Sequence, residues 1–125
     1  GNVGTLVRAA EALGPAFVAL SPGCAEPTGP KALRASAGAI FRVPLGGWAD
    51  APKPWVALVP RGGVPLWELE ARERVTFVLG AEREGLPAAV LADCEEQASI
   101  PQASGAESLN VAVAGAIALY ETRRP

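Results

Sequence analysis

The run RVTFVLG at residues 74–80 places the tightest limit on what this chain can fold into. From Val75 to Leu79 only Thr76 is polar, so there is no regular alternation of wet and dry positions. A strand with one solvated face alternates, whereas a near-continuous apolar run fits a parallel sheet covered on both sides. Parallel strands need crossover connections rather than tight hairpins, and the rest of the chain has the pattern to supply them. PWVALVP at 54–60, AFVALS at 16–21 and QASIP at 97–101 read as further short strands, and IFRVPL at 40–45 as a strand or an extended connection. Helical spacing occurs at 3–13, where Leu6, Val7, Ala10 and Leu13 share a side and Gly14-Pro15 ends the run. Two further helices are expected, one capped near Thr28 to Pro30 and running to about Ala39, the other at 88–93. RGGVPLWELE at 61–70 is ambiguous, because Gly62, Gly63 and Pro65 oppose a helix start before Leu66. The alternation predicts an α/β fold with a mostly parallel sheet and helices on both faces.

The last helix, predicted over 108–123, is unusual. Between 109 and 120 its one polar side chain is Asn110, whereas a simple surface helix shows one apolar stripe and one polar face. Leu109, Val111, Val113, Ile117 and Leu119 surround the axis, and alanines at 112, 114, 116 and 118 allow close approach. Such a helix is expected to be buried on two sides. A chain of 125 residues makes one domain with one core, which leaves little to cover the second side. A two-fold homodimer packed through this helix and the first one is therefore expected.

Composition removes several classes of function. The chain has no histidine, and Cys24 and Cys94 lie far apart, so no zinc site and no histidine acid–base chemistry is expected. Reduced thiols of a cytoplasmic protein are the simplest reading. The net charge of −2 gives no overall basic field, although a local patch would be enough to hold nucleic acid. Nine arginines against two lysines suit phosphate contacts, and a GC-rich coding bias would produce the same ratio. No apolar stretch is long enough to span a bilayer, so no membrane association is expected. The chain lacks methionine and opens on GNVGTLVRAAEALG, a loop entering a helix. An upstream segment with at least one strand is expected to precede it in the whole protein.

In open α/β sheets, ligands bind outside the carboxyl ends of the strands. Three junctions there carry polar residues. The first, NVGTLVRAA, has Asn2 and Arg8 on a helix start, which a solvated arginine would also explain. The second, LGAEREGLP at 79–87, holds Glu82 between Gly80 and Gly85; it matches neither a P-loop nor a dinucleotide fingerprint. The third, SGAESLN at 104–110, offers Ser108 as a helix cap but leaves Asn110, a poor helix former, without a reason. The chain has two asparagines, and they fall in the first and third of these junctions.

Taken together, GNVGTLVRAAEALG, FVLGAEREGLP and IPQASGAESLNVAVAGAIALYE resemble the three ordered motifs of the SpoU (TrmH-like) RNA ribose 2′-O-methyltransferases of the SPOUT superfamily. PKALRASAGAIFRVPL is similar to that family's middle segment, so the resemblance covers essentially the whole chain. It implies methyl transfer from S-adenosylmethionine to a ribose 2′-hydroxyl of tRNA or rRNA, a C-terminal trefoil knot and a homodimer. It also implies cofactor contacts to the backbone around Gly80, Ile100 and Leu109, and Leu58 to Gly62, the end of another strand, is expected as a further wall. The family's polar residues fall on Asn2, Arg8, Glu82, Ser108 and Asn110. Arg8 matches the proposed general base; because a guanidinium normally stays protonated, an electrostatic role on the adjacent phosphate is the other possibility. Ser108 and Asn110 would orient Arg8 or the ribose, and Glu82 and Asn2 would fix the loops. Gln102 and Ser104 stand where the family usually has methionine and glycine. The resemblance also implies an N-terminal RNA-recognition domain that this chain does not contain. A non-catalytic RNA-binding module and an unrelated nucleotide-binding α/β domain are the competing readings, and the second needs a phosphate-cradling loop that GNVGTLVR supplies poorly.

Overall fold

The computed structural model describes residues 2–13, 18–20, 30–39, 42–47, 50–69, 75–80, 85–103 and 109–123. They fall into two compact units, residues 1–51 with Pro125, and residues 52–124.

In the first unit, α1 (Asn2–Ala12) packs against α2 (Pro30–Ser36), and β1 (Val18–Leu20) pairs in parallel with β2 (Leu45–Gly47). Gly4, Val7 and Ala10 line the buried side of α1, while Leu6 and Leu13, expected on the same side, are half-buried. Pro30 opens α2 at the position where its fixed φ and missing N–H cost nothing. Ala37 and Gly38, at φ +52° and +86°, end it short of Ala39. Of the strand or extended connection expected at 40–45, only Leu45 lies in a strand. The Arg42 and Val43 N–H groups turn back onto the Ala39 carbonyl at 2.8 and 3.0 Å, and Pro44 has no N–H for a ladder, so pairing begins at Leu45.

The second unit holds β3 (Trp55–Leu58), β4 (Val64–Pro65), a 3-10 turn (Leu66–Glu68), β5 (Thr76–Leu79), α3 (Ala88–Asp93), β6 (Glu96–Ser99) and α4 (Val111–Arg123). Its sheet has the order β4-β6-β3-β5, and every pairing is parallel. Val56 and Ala57 are adjacent on β3 and both fully buried, so both faces of the sheet are covered there. That double coverage was expected of β5, but β5 ends the order and only Val78 in it is buried. The core gathers Val56, Leu66, Ala98 and Ala118, with Leu58, Leu69, Val75, Phe77 and Ile100 packed around them.

Two features answer questions the sequence left open. The ambiguous stretch after Arg61 becomes β4 and the 3-10 turn, reached from β3 by the short connection 59–63. That connection passes over β6, which lies between the two strands it joins. Gly63 crosses so close to the β6 backbone that a Cβ there would sit 2.3 Å from the Gln97 carbonyl oxygen. The last helix buries one face within its own chain, not two. Ala112, Gly115 and Ala118 face inward, while Val113 (47%), Ile117 (36%) and Tyr120 (58%) stay exposed. Small residues let the helix come close to Val56, Leu66 and Ala98, and the larger side chains stand on the outer side.

Candidate active site at the carboxyl edge of the sheet

Parallel register brings the ends of all four strands of the second unit to one edge. Val64, Ala98, Leu58 and Leu79 align across the sheet as a single row. One residue further, that row becomes Pro65, Ser99, Val59 and Gly80, with Ile100 next on its strand. Leu58, Gly80 and Ile100, far apart in sequence, are thus neighbours along the edge where α/β sheets bind ligands. Leu58 and Ile100 are half-buried against the core and give this edge an apolar wall.

Gly80 has a more specific reason for being glycine than general permissiveness. A Cβ there would lie 2.4 Å from the Gly85 carbonyl carbon and 2.7 Å from the Leu86 nitrogen. Gly85, whose φ is +67°, packs its backbone against Gly80. The expected approach of a ligand at Gly80 is therefore joined by an approach of the chain's own backbone.

At α4 the structure corrects the helix start and explains Asn110. The helix begins at Val111, not at 108, and Asn110 is its cap. Its Oδ1 accepts from the N–H groups of Ala112 and Val113 at 2.8 and 3.2 Å. The Asn110 carbonyl accepts the first helical bond from Ala114 at 2.9 Å. Asn110→Ala is expected to lower stability by about 1 kcal/mol, read by urea unfolding, whereas Asn110→Ser keeps an acceptor and stays near wild type. Leu109 precedes the cap, half-buried. Glu82 and Ser108 lie outside the described residues.

Asn2 and Arg8 belong to the first unit, Asn2 as the first residue of α1. Arg8 is exposed. The acid one turn on, Glu11, is taken up by Arg42, which donates from Nε to Oε2 and from Nη2 to Oε1 at 2.9 Å. That contact holds the Glu11 carboxyl below its usual range. Among the described residues Arg8 has no ion pair. No cluster of metal-ligating side chains occurs among the described residues. Cys94 is half-buried; burial raises its thiol pKa, and its Sγ–H donates to the Val90 carbonyl at 3.3 Å. No described helix is long and apolar enough to cross a membrane.

One side chain at this edge was passed over in the sequence. Trp67 follows β4 on the 3-10 turn and is 62% exposed. Its signal was a large aromatic beside Pro65 and Leu66 in a stretch with no clear periodicity.

An all-parallel sheet with an apolar wall at its carboxyl edge defines an α/β protein of the kind that binds ligands at that edge. The chain belongs to the SpoU rRNA methylase family, whose profile matches residues 1–120. It is 38% identical over 134 residues to an uncharacterized tRNA/rRNA methyltransferase of Synechocystis, covering 99% of this chain and 49% of that one. The chain thus spans about half the length of that relative. In structure it is similar to the SpoU methyltransferase AviRb of Streptomyces viridochromogenes, solved in complex with AdoMet. There the TM-score is 0.88 at 29% identity, covering 97% of this chain and 54% of that one. A structure described as an RNA 2′-O ribose methyltransferase matches with a TM-score of 0.83 at 32% identity, covering 97% of this chain and 50% of that one.

Proposed function

We propose that this chain is the catalytic part of an S-adenosylmethionine-dependent methyltransferase that modifies a ribose 2′-hydroxyl of tRNA or rRNA. The observation that carries the reading is the shared edge of Leu58, Gly80 and Ile100. Gly80 and Ile100, which the family motifs associate with the cofactor, meet there beside Leu58 through strand register. The donor set fits: aliphatic Leu58 and Ile100 suit an adenine face, and strand ends offer amide and carbonyl groups to its polar rim. Leu109 would complete that wall. When bound, S-adenosylmethionine supplies the methyl group as an electrophile. The chain's own task is the ribose: a hydroxyl is a weak acid, so its proton must leave and its developing negative charge must be held. Arg8, exposed on α1, is assigned to that charge and to the adjacent phosphate, with Asn2 and Glu82 fixing the loops and Ser108 and Asn110 orienting the ribose. The AviRb complex and the 2′-O ribose methyltransferase support the cofactor and the acceptor respectively.

Two architectural proposals go with this reading. The short 59–63 connection spanning β6 supports a C-terminal trefoil knot, since a later strand occupies the gap beneath it. The exposed Val113, Ile117 and Tyr120 recur at helical spacing on α4 and support a homodimer. Ile117→Glu is expected to give monomers in sedimentation at micromolar concentration and to lose methyl transfer with the dimer. A monomeric wild type, or a dimeric and active Ile117→Glu, would refute the dimer.

The test of the function is direct. The protein is incubated with tRNA, rRNA and cofactor labelled in its methyl group, and the labelled nucleotide is mapped. Label on a ribose 2′-oxygen supports the proposal, and label only on bases overturns its acceptor.

A further inference from the structure

We propose that Trp67 is a stacking platform for an RNA base beside the nucleotide that is methylated, an inference that rests on the methyltransferase reading above. Register carries the argument first. Pro65 pairs with Ser99, so the chain leaves β4 at the level where Ile100 leaves β6, and Trp67 emerges on the carboxyl edge next to the cofactor wall. Neighbouring strands lie about 5 Å apart, so the turn bearing the indole is one strand spacing from Ile100, within the reach of an adjacent nucleotide.

Rigidity carries it second. Trp67 stands between two anchored residues: Leu66 is 4% exposed within the core cluster, and Leu69 packs against that cluster. The Leu69 N–H closes the turn on the Leu66 carbonyl at 3.1 Å. An indole left 62% exposed on a pinned turn presents a flat apolar face at little further entropic cost. Single-stranded RNA is recognised by stacking unpaired bases on such aromatic faces. Charge decides which part of the nucleotide is met. Glu68, exposed on the same turn, repels phosphate, so the contact is with a base; Arg61, exposed in the connection leading to β4, is placed for the backbone.

The test compares Trp67→Ala and Trp67→Phe in the full chain, with unfractionated tRNA and rRNA as substrate. Losing one stacked base is expected to raise the RNA KM roughly five- to 150-fold. The kcat and the calorimetric affinity for S-adenosylmethionine should stay unchanged, and Trp67→Phe should recover most of the loss. An unchanged KM in Trp67→Ala overturns the proposal. So does a Trp67→Ala that sediments as a monomer where wild type is a dimer, because the indole then serves a contact between copies. If the wild type transfers no methyl group, the activity reading fails by itself, and the affinity for labelled RNA decides Trp67 separately. Weaker binding by Trp67→Ala supports the platform; equal binding, or no binding by the wild type, overturns it.

Discussion

Gly63→Ala is expected to cost about 3 kcal/mol or more of stability, enough to leave the second unit largely unfolded at moderate urea. Two penalties coincide at this position. At φ +65° an L-residue is strained by roughly 1–2 kcal/mol. The added Cβ would also meet backbone, not a yielding side chain: Gln97 oxygen at 2.3 Å, Gln97 carbon at 2.6 Å and Ala98 nitrogen at 3.1 Å. Neither partner can move without opening the β6 ladder to β3 and β4. The neighbouring Gly62 separates the two causes. Its φ is +87°, but nothing lies within 4 Å of where its Cβ would stand. Gly62→Ala should therefore show the strain alone, about 1 kcal/mol. Equal urea midpoints for the two variants would mean that the crossing over β6 is looser than these distances say.

This contrast also shows what the sequence could convey. Gly62-Gly63 was visible as a reason against a helix, which is a local statement about φ. The identity of the backbone that passes beneath Gly63 is a fact about a strand more than thirty residues later, and no local pattern encodes it. The strands around Val56 and Val78 and the helix at 88–93 were legible because a run of apolar residues between prolines, or a helical spacing, states its own structure. Residues 40–45 stayed ambiguous between strand and connection because Ile40 to Val43 look like a strand by propensity, while Pro44 and the turn onto Ala39 decide where pairing starts.

The site divides in the same way. Gly80, Ile100 and Leu58 follow from strand ends once the sheet is known to be parallel, but their adjacency depends on strand order. Asn110 was noticed as an oddity, and its capping role becomes plain once the helix begins one residue after it. The apolar girth of the last helix was legible, and within the chain one of the two sides expected to be buried is buried. Which face turns inward was not legible, because alanine, valine and isoleucine all count as apolar in a periodic pattern. Packing density chose the small ones, which leaves Ala116 half-buried and makes Ile117 the better probe of a second copy.

Arg8→Ala is expected to lower methyl transfer roughly 10²–10³-fold, the usual cost of removing one donor that meets charge developing in the transition state. Affinity for S-adenosylmethionine should change little, because Arg8 is on α1 and not among the strand ends assigned to the cofactor. Arg8→Lys distinguishes the two roles left open for this residue. A lysine keeps the positive charge but not the bidentate fork, so an electrostatic role predicts partial recovery. Within the proposed dimer, the family resemblance puts Arg8 of one copy beside the cofactor edge of the other, and this has a numerical consequence. Arg8→Ala and a cofactor-wall variant such as Leu109→Asp would each be inactive alone. Mixed at random, half the dimers pair the two variants, and each such dimer rebuilds one intact site out of two. About a quarter of wild-type activity should therefore return on mixing. If instead each copy completes its own site, every site carries one lesion and the mixture stays inactive, whatever the oligomeric state.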